Sequence, residues 1–122
     1  MKLNPDDFTE SAWQGIIDAK DIALSENHQI LETEHLFYSL IKRNEIAKKA
    51  ISKAGGSIKS LLIDTEEFIK SQPKMQRVQE SIFFGENISL AITKATMIKQ
   101  SFKDSFISSE HLVISLFEDE RV

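Results

Sequence analysis

Glu32-Thr33-Glu34-His35 is the nearest approach to a metal signature in this 122-residue chain. A Glu-x-x-His pair points two ligands the same way on a helix, and four-helix di-iron proteins need it twice, with two further Glu. The second occurrence of the surrounding motif carries Ser108 where the first has Glu32, so the ligand set is incomplete and no metal is expected. His35 and His111 each stand beside a helix start, where packing or capping accounts for them, and His28 falls in a predicted loop as a solvated residue. Gly55-Gly56 is followed by Ser-Ile-Lys and lacks the second element of a phosphate-binding loop; it reads as a helix end. Cysteine is absent, which removes disulfides, thiolate nucleophiles and Cys-based zinc sites together. No serine, histidine and aspartate form a recognisable triad. Nothing here argues for catalysis.

Two carboxylates invite a different chemistry. Glu34 and Glu110 sit in the repeated tetrads Thr33-Glu34-His35-Leu36 and Ser109-Glu110-His111-Leu112. First-turn carboxylates stabilise a helix start by roughly 0.3–1 kcal/mol each. If the two units are related by a pseudo-twofold axis, the pair would also occupy equivalent surface positions, able to receive a cationic group such as a guanidinium. Both readings stand at this point.

The elements that must position these residues are helical. Apolar residues recur at helical spacing throughout. Trp13, Ile16, Ile17, Ala23 and Leu24 form one stripe, Thr9 is placed as its N-cap, and Phe8 and Trp13 have the spacing of a hydrophobic staple. The first helix is thus predicted over about Glu10–Glu26, and Trp13→Ala would cost roughly 3–5 kcal/mol if the ring is buried. Thr33 starts a second helix. A third follows Asn44, with Ile46, Ala47, Ala50 and Ile51 inward, and ends at Gly55-Gly56. Ser57 caps a fourth, carrying Ile58, Leu61, Leu62, Phe68 and Ile69. Residues from about Ser71 to Glu86 show no period and read as a linker. Asn87 caps a fifth with Ile88, Ala91, Ile92, Ala95, Ile98 and Phe102, and Ser109 caps a sixth with Leu112, Val113, Leu116 and Phe117. The fold class expected is all-α.

Length supports a single domain. With 41% hydrophobic residues, the chain can fill a core, and two Pro and four Gly are too few for the turns of an all-β domain. A balance of 15 basic against 19 acidic residues, with no basic run, gives no reason to bind nucleic acid. The N-terminus has no signal-peptide core, and no stretch reaches the roughly 18 apolar residues of a membrane span. A soluble, cytoplasmic protein is expected.

Sliding the sequence along itself by 76 residues reveals a repeat. Ile16 meets Ile92, Ala19 meets Ala95, Ile22 meets Ile98, and Ser25 meets Ser101. Glu34-His35-Leu36 meets Glu110-His111-Leu112, and Ser39-Leu40 meets Ser115-Leu116. The architecture expected is a duplicated four-helix repeat about a pseudo-twofold axis: repeat one over about 8–71, a linker over about 72–86, and a partial repeat two over about 87–122. Adding the offset to Ile46 gives Val122, so the second repeat is truncated after two helices. The apolar faces left over imply a piece of a longer chain, or cover from another molecule.

The opening FTESAW, the run ALSENHQILETEHL and the second-copy FISSEHL together resemble the Clp N-terminal repeat domain, found at the front of Clp-type AAA+ unfoldases. The resemblance covers Phe8 to Val122, and FISSE and the KSQPKM linker look most like the disaggregase branch, its cyanobacterial members in particular. It implies two four-helix repeats forming a recognition module that contacts unfolded or aggregated clients or an adaptor. ATP and Mg would then be bound by AAA+ modules beyond this chain, in a full-length protein assembled as a hexamer and working with a DnaK-type co-chaperone system. The domain itself would hold no cofactor and do no chemistry.

By the same resemblance, Thr9 and Glu110 match positions tied to engagement of aggregated clients, and Glu34 and Glu110 match the acidic pair that receives phosphoarginine in the ClpC-like branch. The family's apolar client groove lies on the second copy's helix pair. Ile98 fits that groove, whereas Lys94 and His111 stand where apolar side chains would be expected. Two alternatives differ in class: a small helical metal- or oxygen-handling protein built on Glu32 and His35, and a free-standing adaptor or regulator with this fold.

Overall fold

Each helix begins where a side chain or a neighbouring backbone can satisfy its first N–H groups. In a computed structural model, residues 3–76 and 81–117 are described. Thr9 Oγ1 accepts from Ala12 N–H at 3.2 Å and opens α1 (Glu10–Ser25). Asn44 Oδ1 accepts from Ala47 N–H at 2.9 Å and opens α3 (Glu45–Lys53), and Ser57 opens α4 (Ile58–Ser71). Three starts lie one or two residues before their expected caps. Glu32, not Thr33, is the N-cap of α2 (Thr33–Arg43); Gly85, not Asn87, that of α5 (Glu86–Ser101); and Ser108, not Ser109, that of α6 (Ser109–Leu116). Among the described residues a 3-10 turn (Pro5–Asp7) and two strands of two residues, β1 (Ile30–Leu31) and β2 (Phe83–Phe84), accompany the helices, and β2 lies inside the segment read as a linker.

The all-helical expectation holds apart from these short strands. They reveal how the two copies are joined. In parallel register Leu31 pairs with Phe84, and an isolated parallel bridge pairs Phe8 with Ile107. Under the 76-residue offset Phe8 becomes Phe84 and Leu31 becomes Ile107, so each copy's lead-in to its first helix pairs with the other copy's lead-in to its second. Thr9 N–H donates to Ile107 O, and Gly85 N–H donates to Leu31 O, both at 2.9 Å. The left-handed residues obey the same relation: Asn27 has φ 57° and Lys103 φ 59°, each in the turn after the first helix of its copy.

The core is shared. Ala12, Ile16, Ala19 and Ala23 of α1, Leu36, Phe37, Leu40 and Ile41 of α2, Ile88, Ala91, Ile92 and Ala95 of α5, and Leu112, Val113 and Leu116 of α6 form one cluster, with α3 adding Ala47 and Ile51. Ile17 and Ile46, read as inward, are exposed, and α4 buries only Ile69 fully because it lies on the outside of α2. Trp13 packs on Phe8 with ring centroids 5.4 Å apart, as the staple spacing implies. Its ring is half-buried, so the cost of deleting a fully buried Trp does not apply.

Where the two lead-ins meet, residue size is matched differently in each copy. A Cβ on Gly85 would collide with the Glu32 carboxylate. The equivalent pair in the other copy is Thr9 with Ser108, a larger residue beside a smaller one. Gly85→Ala is therefore expected to destabilise the fold by about 1–3 kcal/mol in urea unfolding. Adding Glu32→Ser should recover part of that loss; an unchanged Gly85→Ala midpoint would refute the close approach.

Candidate functional site

The repeated Glu-His-Leu motifs build two helix starts of the same geometry. His35 Nδ1 accepts from Glu32 N–H, and His111 Nδ1 accepts from Ser108 N–H, both at 2.9 Å. Ser108 Oγ in turn accepts from His111 N–H at 3.3 Å, closing a capping box in which histidine does the work usual for Glu or Gln. An Nδ1 used as acceptor puts the neutral ring's proton on Nε2. In the second copy Nε2 lies 2.8 Å from Asp104 Oδ2; in the first it lies 2.9 Å from His28 Nδ1. His28 and Asp104 are themselves 76-offset equivalents. The recurrence of Glu-His thus has a structural cause. Both ring nitrogens of His35 are engaged by protein groups, and no three His, Asp or Glu among the described residues are grouped to hold a metal ion.

Two residues lie elsewhere than the sequence placed them. His28, read as solvated, is only 5% exposed. His111, read as part of a client groove, is buried as well, and its ring shapes the start of α6 instead of offering a surface.

Glu34 and Glu110 are not equivalent in exposure. Glu110 is open to solvent, whereas Glu34 is 2% exposed. The cause is α4 and the residues after it: Gln72, Pro73 and Met75 line a pocket together with Glu34, and α4 packs along α2. The same helix face, Glu34-Tyr38-Ile41 in the first copy and Glu110-Ile114-Phe117 in the second, is covered once and open once.

Thr9 and Glu110 both stand at the N-terminus of α6. A buried amide holds this junction. Asn44 Nδ2 donates to Ser11 Oγ at 2.8 Å and to Ser109 Oγ at 2.7 Å, tying α1, α3 and α6 together while Asn44 also caps α3. Thr9 lies two residues before Ser11, and Glu110 directly after Ser109. From α5, Phe102 reaches the same place: its ring centroid is 5.9 Å from that of His111. Ile98, one turn earlier, is partly buried; Lys94, a further turn back, is exposed. Sequence reasoning missed the loop after α5. Phe102 is 59% exposed and Phe106 51%; Phe102 stands against His111, and Phe106 directly precedes Ile107, whose carbonyl accepts from Thr9 N–H. Helical spacing puts Phe102 on the inner stripe of α5, but the helix ends at Ser101 and the ring is exposed at its cap.

The sequence profile of the Clp repeat (R) N-terminal domain matches residues 7–122. Chaperone protein ClpB of Prochlorococcus marinus is 44% identical over 121 residues, which are 99% of this chain and 14% of that protein. The chloroplastic chaperone protein ClpB2 of Oryza sativa is 40% identical, over 98% of this chain and 12% of its own length. Among solved structures, the Hsp104 N-terminal domain from Candida albicans superposes with a TM-score of 0.85 at 23% identity, covering 94% of this chain and 76% of that one. The N-terminal domain of the ClpV1 ATPase from E. coli EAEC gives 0.81 at 14% identity, covering 95% and 71%. These two likenesses speak for the fold.

The His111 cap yields a direct test. His111→Ala is expected to lose about 1–3 kcal/mol by leaving the Ser108 N–H without its acceptor. His111→Gln, which keeps an acceptor at that position, should retain more than half of the difference in thermal or urea unfolding. Equal losses would show that packing, not the cap, is what the ring supplies.

Proposed function

The chain belongs to the Clp repeat N-terminal domain family, and we propose that it is the client- or adaptor-recognition domain of a ClpB-like protein disaggregase. The chain spans less than a sixth of the length of the ClpB relatives it matches, so the ATPase activity, its ATP and Mg, hexamer assembly and cooperation with a DnaK-type system belong to that proposal. So does a cytoplasmic setting; no helix among the described residues is long and apolar enough to cross a membrane. The domain itself binds and does not catalyse.

The observation that carries this reading is the pair of exposed rings at the start of α6, Phe102 against His111 and Phe106 just before Ile107, near Thr9 and Glu110. Exposed aromatic side chains adapt to many apolar partners, which suits a surface that must hold unrelated clients and release them. Glu110 and Lys94 supply charge at its rim, where it steers association more than it adds affinity. His111 contributes from beneath by fixing the start of α6. Each contact is weak, and several tethered copies on one ring raise the effective concentration. Glu34, buried under the residues after α4, gives the paired-guanidinium reading no second open carboxylate.

The test is a titration of the isotope-labelled chain with an unfolded model protein, followed by amide chemical shifts. Shifts are expected to cluster at Thr9, Ile98, Phe102 and Glu110. Phe102→Ser and Ile98→Ser should each weaken binding about tenfold, equivalent to some 1.4 kcal/mol. Glu110→Ala should weaken it while leaving the fold intact. Binding that ignores all three substitutions would place recognition on another surface.

A further inference from the structure

The two copies make the same turn after their first helix, bond for bond. Glu26, Asn27 and His28 N–H donate to Ile22, Leu24 and Ala23 O, and Phe102, Lys103 and Asp104 N–H donate to Ile98, Gln100 and Lys99 O. The repeat offset carries every donor and acceptor of the first turn onto its counterpart in the second. Asn27 and Lys103 hold the same left-handed place, at φ 57° and 59°.

What lies over the two turns differs. In the first copy the chain covers the turn itself. Gln72 leaves α4 extended, at ψ 150°, Met75 N–H donates to Asn27 O at 2.9 Å, and Lys74 Nζ lies 3.1 Å from Glu26 Oε2. Met75 also lines the pocket that holds Ile30 and Glu34. In the second copy no group among the described residues donates to Lys103 O. Around that carbonyl the offset puts Phe102 in place of Glu26, Phe106 in place of Ile30 and Glu110 in place of Glu34, and all three are exposed. A turn that receives an extended backbone in one copy thus stands open in the other. The exchange of Glu26 for Phe102 removes the carboxylate that Lys74 meets and sets an aromatic face there, complementary to an apolar side chain.

We propose that the Lys103 turn takes an extended segment of a client in the way the Asn27 turn takes residues 72–75. A backbone N–H of the segment donates to Lys103 O. The residue bearing that N–H rests against Phe106 and Glu110, and the residue before it lays an apolar side chain on Phe102. Main-chain hydrogen bonding supplies affinity without reading sequence, which a surface for unrelated clients requires. The inference rests on the recognition reading above and gives its mode of engagement.

The probe is acetyl-Gln-Pro-Leu-Met-amide, the covering segment with leucine at the place of Lys74. Saturable shifts are expected at the Lys103 carbonyl carbon, read through the Asp104 amide, and at the Phe106 amide. N-methylating the probe's methionine removes the donor and should weaken binding about tenfold. Phe102→Glu should reverse the preference, so that the probe with lysine in place of leucine binds more tightly. Equal binding by the N-methylated probe, or a Lys103 carbonyl that does not move, overturns this geometry. If an unfolded model protein then still shifts Thr9, Ile98 and Glu110, the recognition reading stands without it. If the probe saturates at Lys103 while no unfolded protein binds, the geometry stands and the client reading falls.

Discussion

A backbone N–H entering a packed helix pair must find an acceptor, and in this chain it finds one in the other copy. Thr9 and Gly85 donate to Ile107 and Leu31, and that exchange fixes the start of α1 against α6 and the start of α5 against α2. The rest is built around these two crossings. The Asn44 amide can reach Ser11 and Ser109 together because the first crossing brings α1 and α6 side by side. The exposed rings of Phe102 and Phe106 lie at the same end of the molecule, where the loop after α5 leads into Ile107.

Much of this was legible in the residues. Thr9, Asn44 and Ser57 each have a short polar side chain followed by a helical period, and all three cap as expected. The missed starts share a cause. Glu32 and Gly85 are weak cap signals, and a histidine at the third helical position is not the usual partner of a capping box, so the cap was assigned to a neighbouring Thr, Ser or Asn. The strands were invisible because two residues carry no alternation. The burial of His28 and Glu34 was beyond local reasoning, since it depends on which helix lies over α2 and where the chain runs after Ser71.

The two copies keep one geometry with different chemistry. Thr9 with Ser108 and Gly85 with Glu32 divide the same space in opposite ways. Asp104 and His28 receive the same ring nitrogen, one as an exposed carboxylate and the other as a buried imidazole. Ser109 Oγ joins the Asn44 network, whereas its equivalent, Thr33 Oγ1, is buried without a partner. Duplication accounts for the shared frame, and α4 with the residues after it covers in the first copy the helix face that is open in the second. The outcome is two helix faces of distinct character: Glu34, Tyr38 and Ile41 are covered, and Glu110, Ile114 and Phe117 are open to solvent.

The junction at Ser11 and Ser109 joins residues 98 positions apart in the chain. Helices form from neighbouring residues on submicrosecond times, but closing a loop of that size comes at the far end of the contact-order range. Before α6 has been synthesised Asn44 can cap α3 and donate to Ser11, yet it lacks Ser109, its second amide partner. The surface beside Thr9 therefore needs segments from both ends of the described chain, and a nascent chain cannot present it before the α6 segment has emerged.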